Sequence, residues 1–202
     1  MRYLLILFLW LPGSAFAQQG KHYADSIRSF QQDYVISHEV VKGADKKYLR
    51  FYPVNASFHV TAVFEKISDS LQLKTSKGGS ETFYRYGKIT LRLNNKVYAM
   101  YIYQSPRLMH TTGFEDYLFL PFTDLSNGRD TYGGGRYIDL TIKDIQNDKL
   151  VIDFNKCYNP YCAYRTGYRC PIPPKENDLP LAVTAGEKAF GKRLINNIPA
   201  QK

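Results

Sequence analysis

Two stretches hold most of the residue types that could do chemistry. The first, PFTDLSNGRDTYGGGRYIDL (residues 121–140), sets Asp124, Tyr132 and Arg136 around three consecutive glycines. The second, CYNPYCAYRTGYRCPIPPKEN (residues 157–177), holds all three cysteines together with Asn159 and Glu176. An arginine such as Arg136 can grip an anionic group with two parallel hydrogen bonds. Two carboxylates such as Asp124 and Glu176 can share general acid–base work when one sits in an apolar pocket with a raised pKa. Glycines allow positive φ and close backbone approach. GGGR lacks the lysine and following helix of a phosphate-binding loop, however, and leads into a strand-like segment. The stretch therefore reads as a wide turn entering a strand, with a polar pocket rim as the functional alternative. The same polar side chains could instead satisfy buried backbone in two irregular segments, because an unpaired buried amide costs free energy.

The cysteines are spaced C-x4-C-x7-C at Cys157, Cys162 and Cys170. Structural zinc takes four ligands at recognised spacings. Here there are three, and His22, His38, His59 and His110 are all distant in sequence, so no metal site is expected. A disulfide between Cys162 and Cys170 is expected instead, with Cys157 semi-buried at the end of the apolar run KLVIDFNKC. Closing so short a loop is worth roughly 2.5 kcal/mol in the chain-entropy model. Pro160, Pro171, Pro173 and Pro174 stiffen the same segment. The expectation of a disulfide rests on export, since paired cysteines belong to oxidising compartments.

Export is read from the N-terminus. Met1 and Arg2 precede the apolar run YLLILFLWLP, and Ala15-Phe16-Ala17 fits a signal-peptidase site. The run falls short of the roughly 20 residues that span a bilayer, and no other window is apolar enough to do so. Residues 1–17 are thus expected to be a signal peptide cleaved after Ala17. Residues 18–202 are expected to form one globular domain, periplasmic or secreted. The formal charge is +9, but the basic residues are scattered, with no run of five. That describes a basic solvated surface, and nucleic acid is not an expected partner.

The elements that must carry these residues follow from periodicity. In YADSIRSFQQDYVI, Tyr23, Ile27, Phe30 and Tyr34 recur at helical spacing and predict one amphipathic helix covering a sheet. The period then becomes two. FHVTAVFEK, LQLKT, KITLRLNNKVYAMYIYQ, YLFLPF and RYIDLTIKDIQNDKLVIDF read as about eight strands. Hairpins are expected at Asn94-Asn95 and around Gln146-Asn147-Asp148. The predicted fold is mainly β: an antiparallel sandwich or barrel-like roll, one N-terminal amphipathic helix, and an irregular, disulfide-pinned C-terminal segment. The 17 tyrosines suit sheet faces, and a carbohydrate groove is a second use for them.

The stretches FYPVNASFHVTAVFEK, YRYGKITLRL, LFLPFTDLSNGRDTYGGGRYIDL, DFNKCYNPYCAY and CPIPPKENDLPLAVTAGEK resemble the bacterial and archaeal DUF1684 family, from about residue 25 to Lys188. The resemblance implies cysteines shared at Cys162 and Cys170. It also implies a common polar set of Asp124, Tyr132, Gly133, Gly135, Arg136, Asn159, Glu176, Asn177 and Glu187, to which it assigns no reaction. Asp124, Tyr132, Arg136, Asn159, Glu176 and Asn177 are accordingly the candidate ligand-binding residues; no catalytic residue and no cofactor is assigned. The expected function is a non-catalytic envelope binding module for a small polar or glycan ligand. The alternative is a hydrolase built on Asp124, Tyr132, Arg136, Asn159 and Glu176.

Overall fold

The structure, a computed structural model, describes residues 13–192. Most of the expected signal peptide, residues 1–12, lies outside the described residues. Helix α1 (Gly13–Ser37) is followed by β1 (His59–Lys74), β2 (Ser80–Leu93), β3 (Lys96–Gln104), the single turn α2 (Pro106–Met109), β4 (Tyr117–Asp124), β5 (Arg136–Thr141), β6 (Lys149–Asp153) and the short β7 (Asp178–Leu179). Six strands pair antiparallel in the order β5-β4-β3-β2-β1-β6, and β7 adds parallel to β4. Beyond β6 the chain turns at Phe154–Lys156 and brings Tyr158 beside Tyr137 of β5. Two backbone hydrogen bonds there, of 2.9 and 3.0 Å, link the two ends of the sheet. The result is a nearly closed antiparallel barrel with one N-terminal helix. Among the described residues no helix is long and apolar enough to cross a membrane.

The β2–β3 hairpin turns at Asn94-Asn95, both at positive φ (46° and 61°), as a two-residue turn that follows the strand twist requires. The second expected hairpin is different. Asn147 and Asp148 do sit at positive φ, but their turn closes only a Gln146–Lys149 bridge. A capping box between Thr141 and Asp144 ends β5 and redirects the chain, so β5 pairs with β4 and β6 pairs with β1. The strand count is corrected as well: the described residues form seven strands, with FHVTAVFEK and LQLKT joined in one 16-residue strand, β1, and the short β7 lying outside the runs read as strands.

Beta-bulges explain how that strand serves two apolar clusters. Between Lys66 and Asp69, β1 advances three residues while β2 advances two, and β2 gains a residue against β3 between Arg85 and Gly87. An extra residue turns the following side chains to the other face of the sheet. Before the bulge Ala62 and Phe64 point into the barrel with Ile89, Met100, Leu118, Leu120 and Ile138. After it Leu73 joins Phe83, Tyr103 and Phe119 in a separate cluster on the opposite face. Gly87 is required at this place: a Cβ there would lie 2.1 Å from the Phe64 ring. Strand β4 has both faces covered, with Leu118, Leu120 and Phe122 inside and Phe119 outside. Its uninterrupted apolar run follows from that.

Helix α1 seats Ile27 fully and half-buries Tyr23 and Tyr34, as the predicted stripe requires, while Phe30 stays exposed. The Tyr23 hydroxyl donates to Asp153 (3.1 Å) and Gln31 donates to the Asn155 carbonyl (3.3 Å). The helix therefore lies against the turn that follows β6, beside the closure of the barrel.

Candidate functional site

The outer cluster does not fill the space it borders. A cavity of about 750 Å³ lies between the outer face of the sheet, helix α1 and the segment after Tyr158. Its floor is Phe83 of β2, Tyr117 and Phe119 of β4, and Tyr137 and Asp139 of β5, with Tyr158 beside them. These positions share one face because Phe119 pairs with both Tyr103 and Asp139, and Pro121 pairs with Tyr137. Phe30 and Tyr34 of α1 form one wall, and Tyr161, Tyr168 and Pro171 form the other. The Tyr137 hydroxyl donates to the Pro171 carbonyl and ties floor to wall. Exposed Arg107, Lys156 and Arg169 stand at the mouth with Asp33 and the half-buried Glu81.

Asp139 is the chemical centre of this cavity. Its Oδ1 accepts hydrogen bonds from the hydroxyls of Tyr117 (2.7 Å) and Tyr158 (2.5 Å). Its Oδ2 has no partner among the described residues, and no lysine or arginine pairs with it. Asp139 is exposed, because solvent reaches it through the cavity, but protein is packed densely around its remaining sides. That burial raises the carboxyl above the usual aspartate range, against the lowering effect of the two hydroxyls. Burial, followed by the neighbouring negative charge, keeps the Tyr117 phenol protonated far beyond its ordinary range.

The residues expected to form a site lie mostly elsewhere. Arg136 is 0 % exposed and both terminal nitrogens of its guanidinium are engaged inside the protein. It pairs with Asp124 at 2.8 Å and donates to the carbonyls of Ala185 (2.6 Å), Val183 (2.9 Å) and Glu187 (3.2 Å). Asp124 in turn accepts from the backbone N–H groups of Ser126 and Val183. This cluster fastens the C-terminal segment 183–187 to the glycine-rich loop between β4 and β5. Gly135, at φ +87° with the Phe122 carbonyl 2.6 Å from where a Cβ would stand, lets that loop pass. Asn177 is fully buried and acts as a substitute strand: it accepts from the Tyr101 N–H (2.7 Å) and donates to the carbonyls of Tyr101 and Pro121. Asn159 donates through its backbone to Glu187 and through its amide to the Lys188 carbonyl.

Glu176 takes a bidentate pair of hydrogen bonds from Arg85 (2.8 and 2.9 Å) and another from Tyr103. Asp124 and Glu176 thus each have their own cation, which is not the arrangement of two carboxylates sharing a proton. Tyr132 meets Cys162, its hydroxyl 3.6 Å from the sulfur. None of the six candidates lines the cavity.

The expected disulfide is not formed: Cys157, Cys162 and Cys170 are all free thiols. Cys162 and Cys170 are nevertheless neighbours, the Cys162 N–H donating to the Cys170 sulfur at 3.3 Å. Hydrogen bonding from Cys170, then from Tyr132, lowers the pKa of Cys162 despite partial burial. Cys157 is fully buried and burial pushes its thiol up to about 11. The segment is held by hydrogen bonds instead, with Cys170 and Ser76 bonded in both directions. Among the described residues no cluster of three or more metal-ligating side chains occurs.

The resemblance pointed to Glu187, and the structure gives it a position of its own. It is fully buried, and its Oε2 accepts from Tyr164 (2.6 Å), the Asn159 N–H (2.8 Å) and Tyr34 (3.3 Å). Burial without a cationic partner raises its carboxyl to about 7. Glu187 Oε1 and Asn159 Oδ1 are both buried without partners.

Sequence patterning missed Asp139. In RYIDLT the residues Tyr137, Asp139 and Thr141 look like the solvent side of a half-buried strand. The available signal was aromatic: Tyr117, Phe119 and Tyr137 occupy the polar side of two paired strands, and large rings on both faces mean that both faces are covered.

No curated protein matches the chain. The solution NMR structure of an uncharacterised protein from Haloarcula marismortui superimposes with a TM-score of 0.61 at 24 % identity, covering 85 % of this chain and 96 % of that one. That likeness supports the barrel fold. The model of the family described as protein of unknown function (DUF1684) matches residues 45–188, a span from before β1 to just past Glu187 that takes in every strand; the chain belongs to this family.

Proposed function

We propose that the protein is a non-catalytic binding module that holds a small polar or glycan-sized ligand in the aromatic cavity on the outer face of the barrel. One observation carries this reading: Asp139, at the floor of a cavity of about 750 Å³, offers an oxygen that no described protein group engages. Cavities of roughly 300–1,000 Å³, mostly apolar with a few convergent polar groups, are the usual form of small-molecule sites. The aromatic floor and walls suit the apolar faces of a sugar ring, and Asp139 would accept from its hydroxyls. A hydrolase built on Asp124, Tyr132, Arg136, Asn159 and Glu176 has less support, since Asp124, Arg136 and Asn159 are engaged with one another or with the C-terminal segment, Glu176 with Arg85 and Tyr103, and Tyr132 with Cys162.

The reading includes export, with cleavage after Ala17 and a periplasmic or secreted domain. Beyond that point Tyr23 of α1 hydrogen-bonds to Asp153 of the barrel. N-terminal sequencing of the mature protein should begin at Gln18.

The test of binding is a thermal-shift screen of residues 18–202 against small sugars and polar metabolites, because a ligand that binds only the native state raises the melting temperature. The expected outcome is a saturable rise that Asp139→Asn abolishes while the unliganded variant melts as the parent does. A ligand-induced rise that is unchanged in Asp139→Asn would overturn the assignment of the site.

A further inference from the structure

The charges around the cavity specify more than its size does. Several carboxylates elsewhere in the molecule meet cations, among them Asp124 with Arg136, Glu176 with Arg85, Asp116 with Lys143 and Asp45 with Lys192, while the buried Asp153 and Glu187 have neutral donors and do not line the cavity. Asp139 has only phenol hydroxyls, on one of its two oxygens. A carboxylate drawn partly out of water and left without a cation is a half-made ion pair, and an ammonium group would complete it.

The walls are suited to the same guest. Aromatic rings attract cations through the negative potential of their faces. The molecule already makes such a contact at the cavity, where Lys156 Nζ lies 5.4 Å from the centre of the Phe30 ring. The mouth has the opposite preference. Arg107 is exposed and its guanidinium has no partner among the described residues, and Arg169 reaches Glu81 only at 3.9 Å. Polarity therefore runs in one direction: negative at the floor, aromatic along the walls, and net cationic at the rim, where Arg107, Lys156 and Arg169 outnumber Asp33 and Glu81.

Resting on the binding-module reading above, we propose that the ligand is a zwitterion whose ammonium end sits against Asp139 Oδ2 and whose carboxylate or phosphate end is held at Arg107. A neutral sugar would use the hydrogen-bonding capacity of Asp139 and leave both its charge and that of Arg107 uncompensated. A free anion would be repelled at the floor. A ligand with both charges satisfies the two ends in one pose.

Isothermal titration of residues 18–202 with phosphocholine, glycine betaine, choline, inorganic phosphate and glucose separates the possibilities. The expected result is that phosphocholine or glycine betaine binds at least tenfold more tightly than choline, and that phosphate and glucose bind more weakly still. Asp139→Asn should cost at least tenfold for the zwitterion and for choline. Arg107→Ala, a change at an exposed side chain, should weaken the zwitterion to about the level of choline and leave choline unaffected. Glucose binding that Asp139→Asn abolishes, with no binding of any ammonium compound, would overturn the zwitterion while leaving the binding module in place. If no probe binds at millimolar concentration and none protects against thermal unfolding, the zwitterion is overturned and support for the binding module is withdrawn with it.

Discussion

Asp124 and Asp139 lie on adjacent strands of one sheet and meet opposite fates. Asp124 ends β4 on the inner side, where Arg136 and two backbone N–H groups saturate it. Asp139 lies in the middle of β5 on the outer side, receives two hydroxyls, and keeps one oxygen open to a cavity. Residue type does not distinguish them; the difference is the company each face of the sheet supplies. A saturated buried carboxylate holds a frame together. An unsaturated one beside a cavity is available to a guest, and the protein tolerates its cost because solvent still reaches it. Glu187 falls between the two: as buried as Asp124, but without a cation.

The contrast breaks most visibly at Arg136. Arg136→Ala strands a buried Asp124 and three carbonyls, and should lower unfolding free energy by about 3–5 kcal/mol in urea titrations. A loss within the scatter of surface substitutions would mean that the cluster is not the clamp its geometry describes. Glu187 should come next. Its carboxyl is raised from an ordinary 4.5 to about 7 by burial, so the native state keeps a proton that the unfolded chain releases. Stability from this group is complete below about pH 4.5 and is lost as pH rises to about 7, by about 3 kcal/mol in all. Glu187→Gln should remove most of that dependence and be the more stable protein at pH 8, since an amide oxygen can still accept from Tyr164 and carries no charge to bury. Parallel pH profiles for variant and parent would exclude a neutral Glu187. The smallest effect on stability belongs to Asp139→Asn, under about 1 kcal/mol, because an amide oxygen still accepts from Tyr117 and Tyr158. A larger loss there would place Asp139 with Asp124 among the frame residues.

Much of the architecture was legible in the sequence, and the exceptions have physical causes. The stripe of Ile27 and Tyr34, the Asn94-Asn95 turn and the β alternation are local signals, each decided within a few residues. The partner of β5 is not local: Asp144 caps a turn that redirects the chain, and nothing in the run from Tyr137 to Phe154 states that β6 will pair with β1. The bulges between Lys66 and Asp69 of β1 and between Arg85 and Gly87 of β2 are equally silent in composition, yet they decide which face Leu73 and Phe83 cover, and with them where a cavity can exist. The polar residues of the two marked stretches were conspicuous because irregular backbone needs many hydrogen bonds. Arg136, Asn159 and Asn177 supply these to their own chain. The cysteines were read through an expected compartment rather than through geometry, and the structure holds their segment with Ser76, Tyr137 and Tyr132 in place of a covalent tie.

The contact between Tyr137 and Tyr158 has a consequence for how the molecule yields. It is a seam one residue pair long in a sheet whose other antiparallel joints, apart from that between β3 and β4, run over five or more pairs. Both tyrosines also line the cavity. A guest seated in the proposed site would span the seam like a rivet, and local gaping of the barrel and release of the guest would then become a single event.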